Sequence, residues 1–442
     1  MCGLNFTWTD SIDAMQNVIS HRGRVGCDHV YRDEGGACLG HVRLPIQGLG
    51  AEHDQPIYRH GIYWAFTGEF YNFREHDPEA ECDAHVLIDL VNEGRVDALR
   101  DIDWMGNLVW YDPELDEVTL VTDFLAKKPL YIHTPTGSIS SEIKALAILE
   151  GFAVETDELY FSSVSKWGYH IGDRTPYQNI RKVPPCTVMT INSEAEVTWQ
   201  HQYDELRPKR GNIREAIERA VENRMVSDVP VSILLSGGLD STIVYELAKR
   251  HRPDIQAVHI ENNEQTWLSE LSIENLLKAE LLPSSDLDEI LYYNEGPVDL
   301  GSMLAQYALA QALRGKTSVV ITGDGADELF GGYRRSMEYD SQMSDIFEEL
   351  VYYHLPRLDK LMMSATIEQR SPFLARDVIE MAMELPHSLR RNKNHLKDLF
   401  CDIVPPSILD RPKLPLKSRQ VLSSPIKWRQ KLIKDYRRIM YG

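Results

Sequence analysis

The chain has 442 residues, of which 43% are hydrophobic and 26% are charged, and its formal net charge at pH 7 is −20. Its length predicts two or three domains, and its composition is typical of a globular protein in water. The acidic charge argues against a surface built to bind nucleic acid, and no apolar stretch approaches the ~20 residues of a membrane-spanning helix.

The cysteines also limit the possible classes of protein. All six are scattered, without a Cys-x-x-Cys pair, which argues against a zinc site and against a disulfide framework. The first residues lack the basic and apolar segments of a secretory signal. Together these features favour a reducing, cytoplasmic setting.

The first 200 residues are predicted to form packed sheets. Short alternating segments bounded by turn residues predict strands at 37–42, 62–66, 108–111, 118–121, 131–133 and 187–191. Helices are expected at 83–92 and 142–150. The polar stretch 200–211 is interpreted as a linker, so the expected domains are 1–200 and 201–442.

After this linker, strands alternate with helices, a pattern typical of a parallel sheet covered on both faces. The predicted elements are a helix at 212–226, a strand at 231–235, a helix at 242–249, a strand at 255–260, a helix at 303–313 and a strand at 318–322. The last hundred residues are expected to be mainly helical.

A glycine-rich turn follows the strand at 231–235. Residues 236–241 read Ser-Gly-Gly-Leu-Asp-Ser. Backbone N–H groups at the glycines and the positive end of the next helix can converge on phosphates. Ser236 and Ser241 add hydroxyl donors, and Asp240 can supply an oxygen ligand to Mg²⁺. No Gly-Lys-Ser/Thr follows, so this is not a Walker loop. It resembles the loop of ATP pyrophosphatases; a plain strand–turn–helix corner is the alternative.

A second apolar strand ends in Gly323-Asp324-Gly325-Ala326-Asp327. In open α/β sheets, ligands bind beyond the carboxyl ends of the strands, so we expect this segment and the loop at 236–241 to face one crevice. Asp240 and Asp327 could then share one Mg²⁺ with pyrophosphate. An acidic, solvated turn is the alternative, but it leaves the glycines unexplained.

Residues 322–333, 367–374, 381–386 and 393–400 resemble, in order and spacing, segments of glutamine-dependent asparagine synthetases. The resemblance covers nearly the whole chain. It implies that Asp240 and Asp327 hold Mg²⁺, that Asp324 takes part in forming and aminating an acyl-adenylate, and that Lys393 stabilises charge on the α-phosphate. The ATP-binding residues it implies, together with the loop, are Leu235, Ser236, Gly237, Gly238, Asp240, Ser241, Val258, Thr322 and Gly323.

The amino-terminal region is similar to class II glutamine amidotransferases, which use an N-terminal nucleophile. Removal of Met1 would leave Cys2 with a free α-amine of pKa ~8, which could activate its own thiol. Matches at 40–44, 67–72 and 141–146 extend the resemblance. It implies that Cys2 is catalytic and that an arginine grips the carboxylate of glutamine. The implied glutamine-binding residues are Arg43, Ile46, Gly68, Glu69 and Asp83.

Several residues depart from the family pattern. Thr67 stands where the family has the asparagine of the oxyanion hole, although the N–H of Gly68 remains as a donor. Loss of one such donor can cost roughly 10²–10³ in rate. Arg24-Val25 replaces Pro-Asp, Ala126 replaces glycine, and Thr122 stands where arginine is common. These changes indicate a remodelled glutamine pocket or a weak glutaminase.

The resemblance implies an N-terminal αββα sandwich of the N-terminal-nucleophile hydrolase type, followed by an ATP-pyrophosphatase parallel sheet flanked by helices. The expected reaction converts aspartate, glutamine and ATP into asparagine, glutamate, AMP and pyrophosphate, with ammonia passing between two sites. The expected partners are therefore small molecules, and a homodimer is left open. The alternatives are another acceptor carboxylate, a β-lactam-forming synthetase, tRNA-base activation, a non-catalytic homologue, and a synthetase that takes free ammonia.

Overall fold

The computed structural model describes residues 2–94, 96–260, 268–279, 287–298, 303–333, 343–411 and 425–441. Within these residues, no helix combines the length and the apolar character needed to cross a membrane. All six cysteines are free thiols.

Twelve strands in the described part of residues 1–202 form two antiparallel sheets of six strands each. The strands are β1 Gly3–Thr7, β2 Asp28–Arg32, β3 Cys38–Val42, β4 Ile57–Arg59, β5 Ile62–Phe70, β6 Trp104–Asp112, β7 Glu117–Thr122, β8 Tyr131–His133, β9 Ser138–Ser140, β10 Ile180–Lys182, β11 Thr187–Asn192 and β12 Val197–Gln202. One sheet has the order β10-β8-β9-β1-β3-β2, and the other has the order β12-β11-β7-β6-β5-β4.

The two sheets pack face to face because each strand turns alternate apolar side chains inward. Leu4 and Phe6 of the first sheet share a buried cluster with Val109 and Leu120 of the second. The helices that accompany the sheets are α1 Ile12–Val18, α2 Phe73–His76, α3 Asp83–Gly94, α4 Ile143–Leu146 and α5 Glu158–Trp167. Helices α1 and α4 cover the first sheet, and α3 packs on β5 of the second. This arrangement confirms the predicted αββα sandwich.

A third sheet, described between Val231 and Arg370, is parallel with the strand order β15-β14-β13-β16-β17. Its strands are β13 Val231–Leu234, β14 Gln256–Ile260, β15 Leu276–Ala279, β16 Val319–Ile321 and β17 Glu368–Arg370. The helices described around it are α6 Ile213–Arg224, α7 Leu239–His251, α8 Leu287–Asn294, α9 Met303–Leu313, α10 Ala326–Leu329, α11 Met343–Glu349, α12 Leu355–Met363, α13 Arg376–Glu384, α14 His387–Arg390, α15 Asn394–Phe400, α16 Pro406–Leu409 and α17 Pro425–Tyr441.

Helices cover both faces of this parallel sheet, as predicted. On one face, Ile233 and Ile321 pack with Ile217 and Ile243 of α6 and α7. On the other face, Val258 and Val320 share a cluster with side chains of α9 and α12. The most C-terminal helix, α17, returns to α5, where Leu432 and Tyr436 are buried beside Phe161.

Three predictions differ from the structure by more than shifts of a few residues at the ends of an element or in its position along the chain. The helix expected at 142–150 is one turn long, because residues 147–151 form turns and a bend, and Gly151 has a φ of 74°. The expected linker begins later than residue 200, since β12 continues to Gln202. The described part of the last hundred residues is mainly helical but also contains β17, whose three polar residues gave no strand pattern.

A buried guanidinium connects the sandwich to the parallel sheet. Arg370 of β17 is fully buried, and its Nη2 lies 3.1 Å from Glu69 of β5 while its Nε donates to Glu368 at 2.7 Å. Its Nη1 donates to the carbonyls of Arg224 and Val226 at 2.8 and 2.7 Å. Burial alone would lower the pKa of Arg370, but the two carboxylates outweigh this effect and raise it.

A second buried network crosses the same boundary. Arg22 donates to Glu142 at 2.9 Å and to Asp359 of α12 at 2.8 Å. Glu295 accepts from Lys360 at 2.7 Å and receives the backbone N–H of Lys144 at 2.8 Å. Since these groups are almost wholly buried, removal of either sign of charge leaves the other without compensation.

We predict that Arg370→Met lowers the free energy of unfolding by ~3–5 kcal/mol, because Glu69 and Glu368 would stay buried without their cation. The measurement is chemical denaturation of the full-length chain. Lys431→Met is the control, since Lys431 pairs with Asp435 on the exposed side of α17 and should matter little. Equal losses of unfolding free energy in the two variants would contradict the stabilising role of the Arg370 ion pairs.

Candidate functional site

The glycine-rich segment 236–241 follows β13 and includes the first turn of α7. Gly237 has a φ of 75°, a conformation that glycine adopts without strain. Ser241 Oγ accepts from the backbone N–H of Ser236 at 3.2 Å and lies 3.0 Å from Ser236 Oγ. Gly238 N–H donates to Ser236 Oγ at 3.3 Å. The two hydroxyls therefore hold the turn in shape at the N-terminal end of a helix.

Two other residues predicted to line the nucleotide site belong to the sheet core. Leu235 and Val258 have side chains that are 1% and 2% exposed. Leu235 N–H donates to the carbonyl of Val258 at 2.8 Å, which continues the β13–β14 pairing. These residues can line the crevice through their backbone, whereas their side chains face inward.

The segment after β16 reaches the same edge of the sheet. A Cβ on Gly323 would lie 2.7 Å from Asp240 Cβ and 3.0 Å from Ser241 N, so glycine is needed for this close approach. Thr322 Oγ1 donates to Asp324 Oδ2 at 2.7 Å, and Gln369 Nε2 donates to the same oxygen at 2.6 Å. The structure thus brings both predicted segments to one edge of the sheet, where hydrogen bonds hold Asp324.

Asp240 of α7 and Asp327 of α10 both contact the ammonium group of Lys393. Lys393 Nζ lies 2.5 Å from Asp240 Oδ2 and 2.5 Å from Asp327 Oδ1. Burial would lower the pKa of Lys393, but the two carboxylates outweigh it and raise the pKa, so the ammonium stays charged. Two carboxylates from different elements that converge on one cation form an arrangement suited to a divalent metal.

The backbone that carries Lys393 is held in an uncommon conformation. Asn392 and Lys393 have φ values of 55° and 57°. Their N–H groups donate to the carbonyls of Gly331 and Phe330 at 3.1 and 2.9 Å. A Cβ on Gly332 would collide with the carboxylate of Asp327 and the side chain of Lys393. The glycine pair at 331–332 therefore makes room for the lysine.

Several residues predicted for the glutamine site lie in or next to the strands β1, β3 and β5. Cys2, just before β1, is 8% exposed, and its Sγ lies 4.0 Å from the carbonyl of Leu44. Burial raises the pKa of the Cys2 thiol to about 11, although the positive amino terminus, the hydrogen bond to Leu44 and the charge of Arg43 act to lower it. The thiol is consequently neutral at pH 7 and needs a base to become a nucleophile.

Thr67 and Gly68 lie in β5, opposite Asn107 and Gly106 of β6. A Cβ on Gly68 would collide with the carbonyl oxygen of Met105, so only glycine fits there. Thr67 is 1% exposed, and its hydroxyl has no hydrogen-bond partner among the described residues. A buried hydroxyl without a partner is suited to donate to a substrate oxygen.

Arg43 holds the loop that follows β3. Its guanidinium donates to the carbonyls of Gly50 and Gln47 at 2.9 and 3.1 Å, to that of Gly48, and to Asp54 at 2.9 Å. A substrate carboxylate would therefore compete with Asp54 for this cation. Ile46, in the same loop, is 2% exposed, and its carbonyl accepts from the backbone N–H of Asp228 at 2.9 Å.

Two acidic residues complete the amino-terminal group. Glu69 Oε2 accepts from Gln47 Nε2 at 2.5 Å and faces Arg370, while burial raises its pKa. Asp83 opens α3 and accepts from the N–H groups of Phe70 and Ala84, both at 2.9 Å. Burial raises the pKa of Asp83 to about 6, against the lowering effect of these two hydrogen bonds.

Three residues at these sites were not predicted. Gln369 and Arg370 belong to the segment 367–374, whose resemblance was noted without a role for either side chain. Thr322 N–H donates to the carbonyl of Arg370 at 2.9 Å, so Arg370 contacts both groups of residues. Arg411 donates to the carbonyl of Gly237 at 2.6 Å, and no sequence signal indicated it.

We predict that Gly332→Ala weakens the binding of ATP with Mg²⁺ by about 1–3 kcal/mol, because the added methyl group displaces Asp327 and Lys393. Titration calorimetry of the full-length chain measures the affinity. Gly94→Ala at the exposed end of α3 is the control, since its nearest neighbour is the Ala98 methyl at 3.2 Å. Unchanged affinity in both variants would contradict the proposed crevice.

Comparison with known families divides the chain into two matched parts. The model of a glutamine amidotransferase domain matches residues 1–204, and the asparagine synthase model matches residues 212–348 and 338–438. The latter two ranges together span more than half of the chain.

Individual relatives are distant. The chain is 28% identical over 360 residues to asparagine synthetase [glutamine-hydrolyzing] 1 of Bacillus subtilis, a match that covers 73% of this chain and 55% of that protein. It is 24% identical over 462 residues to asparagine synthetase B of Escherichia coli, which covers 90% and 77%. It is 24% identical over 376 residues to amidase chry2 of Gibberella zeae, which covers 73% and 55%. The chain thus spans little more than half the length of some of these relatives.

Among solved structures, the glutamine phosphoribosylpyrophosphate amidotransferase of B. subtilis, complexed with ADP and GMP, matches 71% of this chain and 93% of its own. The sequence identity is 13% and the TM-score is 0.35, a likeness too distant to support an argument about activity.

Proposed function

Because the chain belongs to the asparagine synthase family, we propose that it is an ATP-dependent carbon–nitrogen ligase that takes ammonia from glutamine and places it on a carboxylate. The leading acceptor is aspartate, which would give asparagine. The observation that carries the proposal is the convergence of Asp240 and Asp327 on one cation at the carboxyl ends of parallel strands. Residues 1–200 would hydrolyse glutamine, and residues 201–442 would use ATP.

At the ATP site, the donor set fits a magnesium ion. Asp240 and Asp327 would hold it, since they already share the ammonium of Lys393. Bound Mg²⁺ would neutralise charge on the pyrophosphate that leaves. When Asp240 and Asp327 bind Mg²⁺, the charged Lys393 would instead contact the α-phosphate. A fixed cation there would stabilise the charge that develops during the reaction.

The acceptor carboxylate needs activation before it can react with ammonia. One of its oxygens would attack the α-phosphorus of ATP, pyrophosphate would leave, and ammonia would then attack the acyl carbon and expel AMP. The turn at 236–241 would bind the phosphates through its N–H groups and the start of α7. Asp324, held by Thr322 and Gln369, would face the reacting carboxylate and ammonia.

At the glutamine site, Cys2 would attack the side-chain amide, form a glutamyl thioester and release ammonia. The α-amine freed by removal of Met1 would accept the thiol proton, which the pKa of about 11 makes necessary. Gly68 N–H and the Thr67 hydroxyl would stabilise the oxyanion, and water would hydrolyse the thioester to glutamate. Arg43, Ile46, Glu69 and Asp83 would surround the bound glutamine.

A second candidate function is a synthetase that uses free ammonia. It is favoured by Thr67, which provides one hydroxyl where related proteins provide an amide donor. A comparison of glutamine with ammonium as the nitrogen donor separates the two functions, because the ammonia-dependent enzyme would show a high ratio of ammonium-driven to glutamine-driven turnover.

We predict that aspartate, glutamine, ATP and Mg²⁺ together yield asparagine, AMP and pyrophosphate in equal amounts. Cys2→Ala should abolish turnover driven by glutamine and leave turnover driven by ammonium, whereas Cys38→Ser, in β3, should keep both. Pyrophosphate release measures each rate. Absence of pyrophosphate with aspartate would overturn the acceptor assignment, and glutamine-driven turnover in Cys2→Ala would overturn the two-site scheme.

We also predict a pH dependence of glutamine hydrolysis that comes from Asp83. Its charged form would pair with the ammonium of glutamine, and this form is lost as pH falls through its pKa of about 6. Protonation of the α-amine, with its pKa of ~8, should already lower the kcat/KM for glutamine below about pH 8. Loss of the charged Asp83 should add a further fall of about tenfold per unit well below pH 6. Asp83→Asn should lower kcat/KM and remove this step, and the matched control Asp89→Asn on α3 should retain it. A wild-type profile without the step would contradict this role.

A further inference from the structure

Three potential metal ligands lie together beside the glutamine-binding residues. They are His53, at the end of the 3₁₀ turn Ala51–His53, Cys82, just before α3, and His85, in the first turn of α3. One ligand atom of each lies within 4.8 Å of those of the other two. His53 Nδ1 is 3.2 Å from His85 Nε2. His53 and Cys82 are buried, and His85 is half-buried.

The donor set matches one class of ion. A thiolate and two imidazoles are ligands that bind zinc in tetrahedral geometry, with a fourth position left for water. Cys82 and His85 are three residues apart at the start of a helix, so their side chains project to the same side. The chain has no Cys-x-x-Cys pair, but these residues form a Cys-x-x-His pair with one distant histidine.

The groups around the two histidines can determine which ring nitrogen carries the proton and which is left to coordinate a metal. His53 Nε2 lies 3.8 Å from Glu52 and 3.7 Å from Glu81, two carboxylates that favour a proton on this outer nitrogen and leave Nδ1 to coordinate. His85 Nδ1 accepts from Arg59 at 3.1 Å. Arg59 also donates to Asp89 at 2.6 Å, so it keeps a partner if the ring of His85 changes tautomer to coordinate through Nε2.

We propose that His53, Cys82 and His85 bind one zinc-class divalent transition-metal ion per chain, with water as the fourth ligand. The ion would join the loop held by Arg43 to the start of α3, which carries Asp83. The two segments are already in close contact there, since a Cβ on Gly48 would lie 2.6 Å from the His53 ring and 2.8 Å from Cys82 Cβ. The site does not depend on any catalytic activity of the chain.

Metal content and cobalt spectroscopy of the full-length protein test the proposal. After treatment with a chelator, incubation with zinc and desalting, elemental analysis should find one zinc per chain. Co²⁺ should give a thiolate-to-cobalt charge-transfer band in the near ultraviolet and visible bands of tetrahedral cobalt. Cys82→Ser should abolish the charge-transfer band, and His85→Gln should weaken the affinity at least about tenfold. Cys186 is a buried cysteine in another loop, so Cys186→Ser should leave the charge-transfer band and the zinc affinity unchanged.

Thermal unfolding guards against misfolded variants. A limiting zinc concentration should raise the midpoint of the wild-type protein and of Cys186→Ser more than that of His85→Gln, whose side chain is only half-buried. Loss of zinc binding in a folded His85→Gln supports the site even if Cys82→Ser fails to fold. The proposal is overturned if the wild-type protein retains no zinc, or if the charge-transfer band persists in Cys82→Ser.

Discussion

The buried ion pairs of Arg370 join the amino-terminal sandwich to the parallel sheet. The guanidinium lies without solvent contact between Glu69, which belongs to the glutamine-binding group, and Glu368, its neighbour in β17. The backbone carbonyl of Arg370 accepts from the N–H of Thr322, one of the residues predicted for the nucleotide site. A buried charge is tolerated only when its partners are complete, so the ion pairs of Arg370 tie β17 to Glu69 of the sandwich.

Local patterns were sufficient for a large part of the fold. The run 231–235 and the glycines after it predicted β13, the turn and α7, because the hydrophobic strand and the turn residues lie next to each other in sequence. β17 could not be predicted in this way. Its residues Glu368, Gln369 and Arg370 are buried. Arg370 neutralises Glu368 within the strand, but the partners of Arg370 and Gln369, which are Glu69 and Asp324, lie far away in sequence. The one-turn helix α4 was overestimated because periodicity does not reveal the turn at Gly151.

The same distinction holds for the candidate sites. The strand ends predicted that Asp240 and Asp327 lie close together, but their shared contact with Lys393 is a tertiary contact that motif order did not indicate. The positive φ values of Asn392 and Lys393 cost about 1–3 kcal/mol each in a residue other than glycine. Hydrogen bonds to Phe330 and Gly331 hold this backbone, which explains why the glycine-rich segment and the lysine segment act as one unit.

The pairing of Arg22 with Glu142 and Asp359 constrains how this architecture can be recombined. A chimera that takes its amino-terminal half from one relative and its carboxyl-terminal half from another would bring together charges that were matched in different chains. An exchange at the 200–211 segment interrupts no helix of either half. It nevertheless buries unmatched carboxylates or guanidinium groups wherever the parents differ at the positions of Arg22, Glu142 and Asp359. Domain shuffling between such proteins is therefore restricted by charge complementarity at the junction rather than by loop length.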